Sequence, residues 1–165
     1  MDDKYSKALT VERLKQLIHY NPDTGVFTRL AASKRVPLGV VKSSPLTHGH
    51  TRLKVDNTPY LSHRLAWFYM TGSWPKLVDH INGIPSDNRW SNLREANHGI
   101  NMQNQHAPQK GNKSGFLGVR WFSGRWRASI SVNKKIHNLG RFDTPEEAHQ
   151  AYLVAKRLLH PGCTI

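Results

Sequence analysis

Apolar side chains at Val11, Leu14, Leu17 and Ile18 recur at helical spacing behind Thr10, which offers an N-cap hydroxyl. A first helix is predicted there, after a disordered lead-in over residues 1–9 and before a turn at Asn21-Pro22-Asp23-Thr24-Gly25. Val26-Phe27-Thr28 reads as a short strand, and residues 31–44 show little pattern beyond a strand at Gly39 to Lys42. Alternation from Thr51 to Val55, turn chemistry at Asp56-Asn57-Thr58-Pro59 and a resumed strand at Tyr60-Leu61 predict a hairpin. Leu65, Ala66, Phe68 and Tyr69 mark a helix over His63 to Met70, ended by Thr71-Gly72-Ser73-Trp74-Pro75. A short apolar run then ends on Asp79-His80, with Asn82-Gly83 as its turn. A polar loop to Ser91, a strand over Asn92 to Glu95 and a helix capped by Asn97 follow, the helix reaching Gln105.

Residues 106–115 hold almost no large apolar side chain and read as a linker. Beyond it, Gly118 to Trp121, Arg125 to Val132 and Ile136 to Phe142 read as three strands of an antiparallel meander, joined at Ser123-Gly124 and Asn133-Lys134-Lys135. Thr144-Pro145-Glu146-Glu147 is a helix start, and Ala148, Ala151, Tyr152, Ala155 and Leu158/Leu159 form the apolar stripe of that helix. The pattern therefore predicts an α+β chain: an N-terminal region over 1–105, the linker, and a small domain over 116–165 with a three-stranded sheet packed on one helix.

Charge narrows the partner. The 165 residues carry a net charge of +13 and a pI near 10.2, which calls for a polyanion, nucleic acid before an acidic membrane. No apolar run approaches the roughly 20 residues of a spanning helix, and the N-terminus does not lead into a signal peptide. The single cysteine, Cys163, excludes disulfides and Cys-rich zinc sites and fits a reducing, intracellular setting. Between Lys110 and Phe142 there are eight Lys or Arg and no Asp or Glu. A sheet face with Arg beside Trp suits phosphates, guanine edges and sugars.

Chemistry concentrates at Asp79-His80, with Asn92 lying 12 residues after the histidine and Asn101 a further 9 on. An acid can hold a divalent cation, an imidazole can take a proton from water, and amides can brace or ligate. Asn97, Asn101 and Asn104 share one helix face, which helix propensity alone does not favour. Strand alternation sends Asp79 and His80 to opposite faces, so a bend is needed to turn both toward one phosphate.

Residues 60–105, with His63-Arg64-Leu65, Val78-Asp79-His80, Asn82-Gly83, Asp87-Asn88-Arg89, Asn92-Leu93-Arg94 and Asn101, closely resemble the HNH endonucleases of phages and mobile introns, whose core is a ββα-metal motif. Residues 116–160, with Gly118-Val119-Arg120, Arg125-Trp126, Leu139-Gly140, Phe142-Asp143-Thr144 and Glu146-Glu147-Ala148, resemble an AP2/ERF DNA-binding domain. The first resemblance implies hydrolysis of DNA phosphodiesters with one divalent ion, Mg²⁺ or Mn²⁺. His80 matches the general base, Asp79 and Asn101 the metal ligands, and Asn92 a loop-pinning amide. Arg64, Arg89 and Arg94 are candidate phosphate contacts. The second resemblance implies a sheet docked in the major groove. Arg120, Arg125 and Trp126 match contact positions there, and Trp121, Arg127, Ser129 and Arg141 lie at contact or near-contact positions. Ser129 and Asn138 depart from the acidic residue and Trp usual in plant members, which puts the plant base preference in doubt.

His63 reads as a buried, hydrogen-bonded structural histidine, and His48 and His50 could share a strand face and bind metal, a reading the rest of the sequence does not favour. Without Cys pairs on a structural zinc, the nuclease core must lean on residues 10–76, so 10–105 is expected to fold as one unit. The expected partner is double-stranded DNA in a host cytoplasm, with no membrane and no small-molecule cofactor. Two other classes remain open: a DNA-binding transcriptional regulator with an inactive nuclease unit, and an RNA-binding or structural protein.

Overall fold

A computed structural model describes residues 9–30 and 37–165, so the expected lead-in lies, but for Leu9, outside the described residues, as does 31–36. The chain divides into two compact units, Met1–Asn97 and His98–Ile165.

In the first unit, α1 (Val11–Leu17) is capped as expected, Thr10 accepting a hydrogen bond from the Arg13 N–H. Ile18 does not continue the helix. It opens β1 (Ile18–Tyr20), which pairs antiparallel with β2 (Phe27–Arg29), and β3 (Gly39–Val40) completes that sheet. The β-branched Ile18 packs fully buried on this strand, and this packing overrides the helical spacing. A second sheet follows the order β4 (Ser44–Pro45), β5 (Thr51–Val55), β6 (Thr58–Leu61). Its hairpin turn is shorter than expected. Only Asp56 and Asn57 are in the turn, both at positive φ (46° and 64°), and Pro59 lies in the edge strand, where its missing N–H breaks no ladder.

Helix α2 (Ser62–Thr71) ends at Gly72 in the left-handed region. β7 (Val78–His80) and β8 (Leu93–Glu95) then pair antiparallel, with Asp79 opposite Arg94 and His80 opposite Leu93. One core joins these pieces: Leu14, Ile18, Tyr20, Phe27, Leu53, Val55, Leu65, Phe68, Val78 and Leu93 are all buried in it.

The second unit begins with the short helix α3 (His98–Gln103), two residues shorter at its C-terminal end than expected. The division between units falls before α3 and not at 106–115. The end of α3 and the segment after it are tied to the C-terminal end of their own unit. Asn104 Oδ1 accepts from Thr164, Gln103 Oε1 accepts from the Gly162 N–H, and the buried Lys156 donates to the Gln105 carbonyl. The sheet has the order β11-β10-β9, formed by β9 (Val119–Phe122), β10 (Arg125–Val132) and β11 (Lys135–Phe142). Helix α4 (Pro145–Leu159) opens with a reciprocal capping box between Thr144 and Glu147. Its Ala148, Tyr152 and Ala155 pack with Leu117, Val119, Ala128 and Ile130 of the sheet side. A bulge at Ala128/Ser129 shifts the β10–β11 register. No helix among the described residues is long and apolar enough to cross a membrane.

Candidate functional site

The polar loop between β7 and β8 is built from side-chain bonds, since it has no sheet partner of its own. Asn92 stands at its base: Oδ1 accepts from the Asn82 N–H at 2.9 Å and Nδ2 donates to the Asp87 carbonyl at 2.8 Å. Asp87 in turn accepts from Asn82 Nδ2 and from the Arg89 guanidinium, which holds its carboxyl down to about 2. The β1–β2 hairpin supports the loop from below. Tyr20 donates its hydroxyl to the Asn88 carbonyl at 2.7 Å, and Pro22 accepts from the Trp90 N–H. Gly25 permits that approach: a Cβ there would lie 2.5 Å from the Asn88 carbonyl carbon, and its φ of +72° already suits glycine.

This scaffold presents Asn88 to His80. Asn88 Nδ2 donates to Thr51 Oγ1 and to the Ser86 carbonyl, which fixes the amide so that Oδ1 faces His80 Nε2 at 3.3 Å. Thr51 in turn donates its hydroxyl hydrogen bond to Oγ of the fully buried Ser62 at 2.8 Å. An amide oxygen can only accept, so Nε2 carries the hydrogen and Nδ1 is the basic nitrogen of His80. His80 is only 5% exposed. Burial pushes its pKa below the usual value, and the Asn88 bond and the Asp79 charge pull the other way. The neutral, proton-accepting form is therefore favoured.

Asp79, on the adjacent residue of β7, is directed to Arg94. Both guanidinium bonds, at 2.9 and 2.7 Å, fall on Oδ2. His80 lies instead against His63 and His50, with ring centroids 5.1 and 5.5 Å away. The expected bend between the two residues is not seen: the three residues of β7 are all buried and the strand pairs regularly. Asn101, partly buried, lies on α3 in the second unit. Arg89 and Arg94 are engaged with Asp87 and Asp79, and Arg64 donates to the Lys76 carbonyl. All three candidate phosphate contacts thus have intramolecular partners.

His63 is buried but not the satisfied histidine that its sequence setting predicts. Its Nδ1 finds no hydrogen-bond partner, and burial, with the neighbouring His80 and His50, drives its pKa down to about 3. His50 also leaves Nδ1 unpartnered, and its ring lies 4.8 Å from that of His63, tilted by 43°. His50 is therefore grouped not with His48 but in a three-imidazole cluster, whose ligand atoms lie within 4.8 Å of one another. The signal in the sequence was faint, because the three come from a strand entry, a helix start and a strand end with no common period.

In the second unit, Arg127 of β10 lies opposite Arg120 of β9 and Arg141 of β11, a row of three like charges across the sheet. All three guanidinium groups stand 5.0–5.8 Å from the Phe122 ring. Alternation places Trp126 on the other face, packed against Val119, Ala128 and Ala148 beside α4. Trp121, its cross-strand partner, shares that face at the margin and is 58% exposed. The aromatic ring among the arginines is Phe122, not Trp121 or Trp126. Arg125 is paired with Asp143 at 2.6 Å between exposed groups.

A model of the HNH endonuclease family matches residues 60–103. No solved structure matches the chain. "Protein 3.8" of Escherichia phage T7 is 33% identical over 100 residues, spanning 58% of this chain and 82% of that protein. The matched segment contains the end of β6, α2, β7, the loop of Asn88 and Asn92, β8 and α3, and its HNH endonuclease domain supports a nuclease, a hydrolase. The chain belongs to the family of the phage T7 Protein 3.8 and carries an HNH endonuclease domain.

Proposed function

We propose that this protein is a metal-dependent DNA endonuclease, of homing or phage-encoded type, in which the first unit cleaves and the second supplies affinity for double-stranded DNA. The observation that carries this reading is His80: a buried imidazole, inside the HNH segment, whose tautomer is set by the Asn88 amide. His80 Nδ1 takes the proton of the attacking water, and burial keeps the ring neutral for that task. Asn92 holds the loop that carries Asn88, so it acts on the base by position.

Asp79 would hold the divalent ion. A carboxylate is a hard donor of the kind that Mg²⁺ or Mn²⁺ prefers, and the Arg94 bonds to Oδ2 fix its orientation, so the residue fits. When bound, the ion supplies charge neutralisation at the phosphate and the leaving oxygen. The arginine row of the second unit is the DNA-facing surface of an AP2-like reader. Like charges set directly opposite one another oppose folding, and a polyanion relieves that repulsion. Tethering raises the effective concentration of the cleaving unit at DNA without adding contacts at the cut. The phage relative fits a place of action in the host cytoplasm.

Supercoiled plasmid incubated with Mg²⁺ or Mn²⁺ tests the reading. Wild type is expected to nick or linearise it, and His80→Ala to lose about 10²–10⁴-fold in rate with its fold intact by circular dichroism. Equal rates for the two proteins with every metal tried would leave a DNA-binding regulator in place of a nuclease.

A further inference from the structure

We propose that His50, His63 and His80 form a second metal site, selective for a borderline cation such as Zn²⁺, and that filling it switches the nuclease off. The second half rests on the role given to His80 above. The first half rests on geometry alone.

Three separate elements deliver the imidazoles: His50 precedes β5, His63 lies in the first turn of α2, and His80 ends β7. Their ring centroids are 4.8, 5.1 and 5.5 Å apart. Two buried nitrogens in the group, Nδ1 of His50 and Nδ1 of His63, have no hydrogen-bond partner, and His63 is 5% exposed. Buried acceptors without partners are costly, and a native structure that keeps two side by side calls for an explanation. A shared cation explains both.

The surroundings fit ligation. The ring of His50 is hydrogen-bonded to the Pro85 backbone, and with Nδ1 unpartnered that bond falls to the other nitrogen. His80 Nε2 is held by Asn88 Oδ1, itself anchored by Thr51 and Ser86. Hydrogen bonds that fix the rings of ligating histidines are the usual support for a metal site. Zn–N bonds of about 2.0–2.1 Å place the nitrogens of a tetrahedral site about 3.4 Å apart. The ligand atoms here lie within 4.8 Å of one another, a gap that side-chain rotation closes. Three nitrogens and no oxygen exclude Mg²⁺ and suit Zn²⁺, Co²⁺ or Ni²⁺, with one position open.

The site therefore differs in metal class from the Asp79 carboxylate and shares only His80 with the proposed cleavage machinery. A lone pair of His80 committed to a cation cannot accept the proton of water.

Co²⁺ titration of the untagged, metal-free full chain tests the site, read by visible ligand-field absorption. The expected result is one Co²⁺ per chain, displaced by Zn²⁺ and unaffected by a large excess of Mg²⁺. His50→Ala and His63→Ala should each weaken binding by at least 10–100-fold. His48→Ala, two residues away on the exposed loop, should not. His50, only partly buried, gives a variant whose folding circular dichroism can verify if His63→Ala fails to fold. Unchanged Co²⁺ affinity in folded His50→Ala, or equal competition by Mg²⁺, overturns the site. In plasmid cleavage with Mg²⁺, Zn²⁺ should inhibit wild type. The half-inhibiting Zn²⁺ concentration should rise at least 10-fold in His50→Ala, relative to that variant's own Zn²⁺-free rate. Co²⁺ binding as expected without cleavage under any metal supports the site and overturns the nuclease reading. Cleavage without Co²⁺ binding does the reverse.

Discussion

The two units place their polar side chains in opposite ways. In the first, Ser62, His63, Asp79, His80, Asn88 and Asn92 are all buried, within one short stretch of sequence. In the second, the cations line the exposed side of a sheet, and the buried polar groups Asn104, Lys156 and His160 are structural pins. Lys156 and His160 each bond a backbone carbonyl, and Asn104 bonds Thr164. A proton acceptor must be desolvated and held in one tautomer, which requires buried, bonded neighbours. A surface for a polyanion needs mobile, solvated charge that releases counterions on contact. The contrast supports the division of labour proposed above, with a reaction site in the first unit and a DNA-gripping surface in the second.

Removing the arginine row is the most forceful way to break this contrast. Arg120→Ala, Arg127→Ala and Arg141→Ala combined should reduce the slope of log affinity against log salt by about 3, near 0.9 for each phosphate left without its arginine. Affinity for duplex DNA at low salt should fall by about 100-fold or more. Fluorescence anisotropy over a salt series measures both. An unchanged slope would show that the sheet face does not meet the phosphates.

Steric changes at two glycines should separate the units by stability. A Cβ at Gly118 would lie 1.9 Å from the Tyr152 ring, and one at Gly25 would lie 2.5 Å from the Asn88 backbone, both at positive φ. Gly118→Ala and Gly25→Ala are each expected to cost roughly 2–4 kcal/mol. Hydrogen exchange should show the loss of protection in residues 98–165 for the first and 9–97 for the second. Loss spreading equally through both would mean that the units do not fold separately.

Acid should act on the first unit through its histidines. His63 has its pKa lowered to about 3 from 6.5, and burial lowers His50 and His80 as well. Below pH 6.5 the unfolded chain takes up protons that the folded form refuses. Stability is therefore complete above that pH and declines as pH falls toward 3, by about 1.4 kcal/mol per pH unit from His63 alone. Protection factors for residues 9–97 between pH 7 and 5 test this, and His63→Phe should flatten the dependence.

Much of this was legible in the sequence. Thr10, the Thr144-Pro145-Glu146-Glu147 start, the β5–β6 hairpin and the second-unit meander all rest on local chemistry, and local chemistry decided them. Ile18 was misplaced because helical spacing and a buried strand compete for the same residue, and the core chose the strand. The site was half legible: Asp79, His80 and Asn92 stand in a motif, whereas His50 meets His63 and His80 only through the packing of three elements. Phe122 was missed because the first strand of the meander was expected to end at Trp121, whereas β9 runs on to Phe122, which alternation sets on the face of Arg120.

Asn88 offers the finest test, because it separates holding His80 from merely filling space beside it. Its bond to Nε2 raises the His80 pKa against the lowering effect of burial. Asn88→Ala removes that support, so the acid limb of the cleavage profile should move to lower pH, with a rate loss of about 10–100-fold as the ring loses its orientation. Asn88→Asp keeps the shape but sets a carboxylate against the same nitrogen, which favours the charged ring, so the limb should move to higher pH. The rate should fall less than in Asn88→Ala, since Nε2 is still held. A residue that only packs the loop would shift the two profiles together or leave both in place. Opposite shifts require that the amide oxygen acts on the imidazole itself, and they would assign the proton-accepting nitrogen of His80 without a bound substrate.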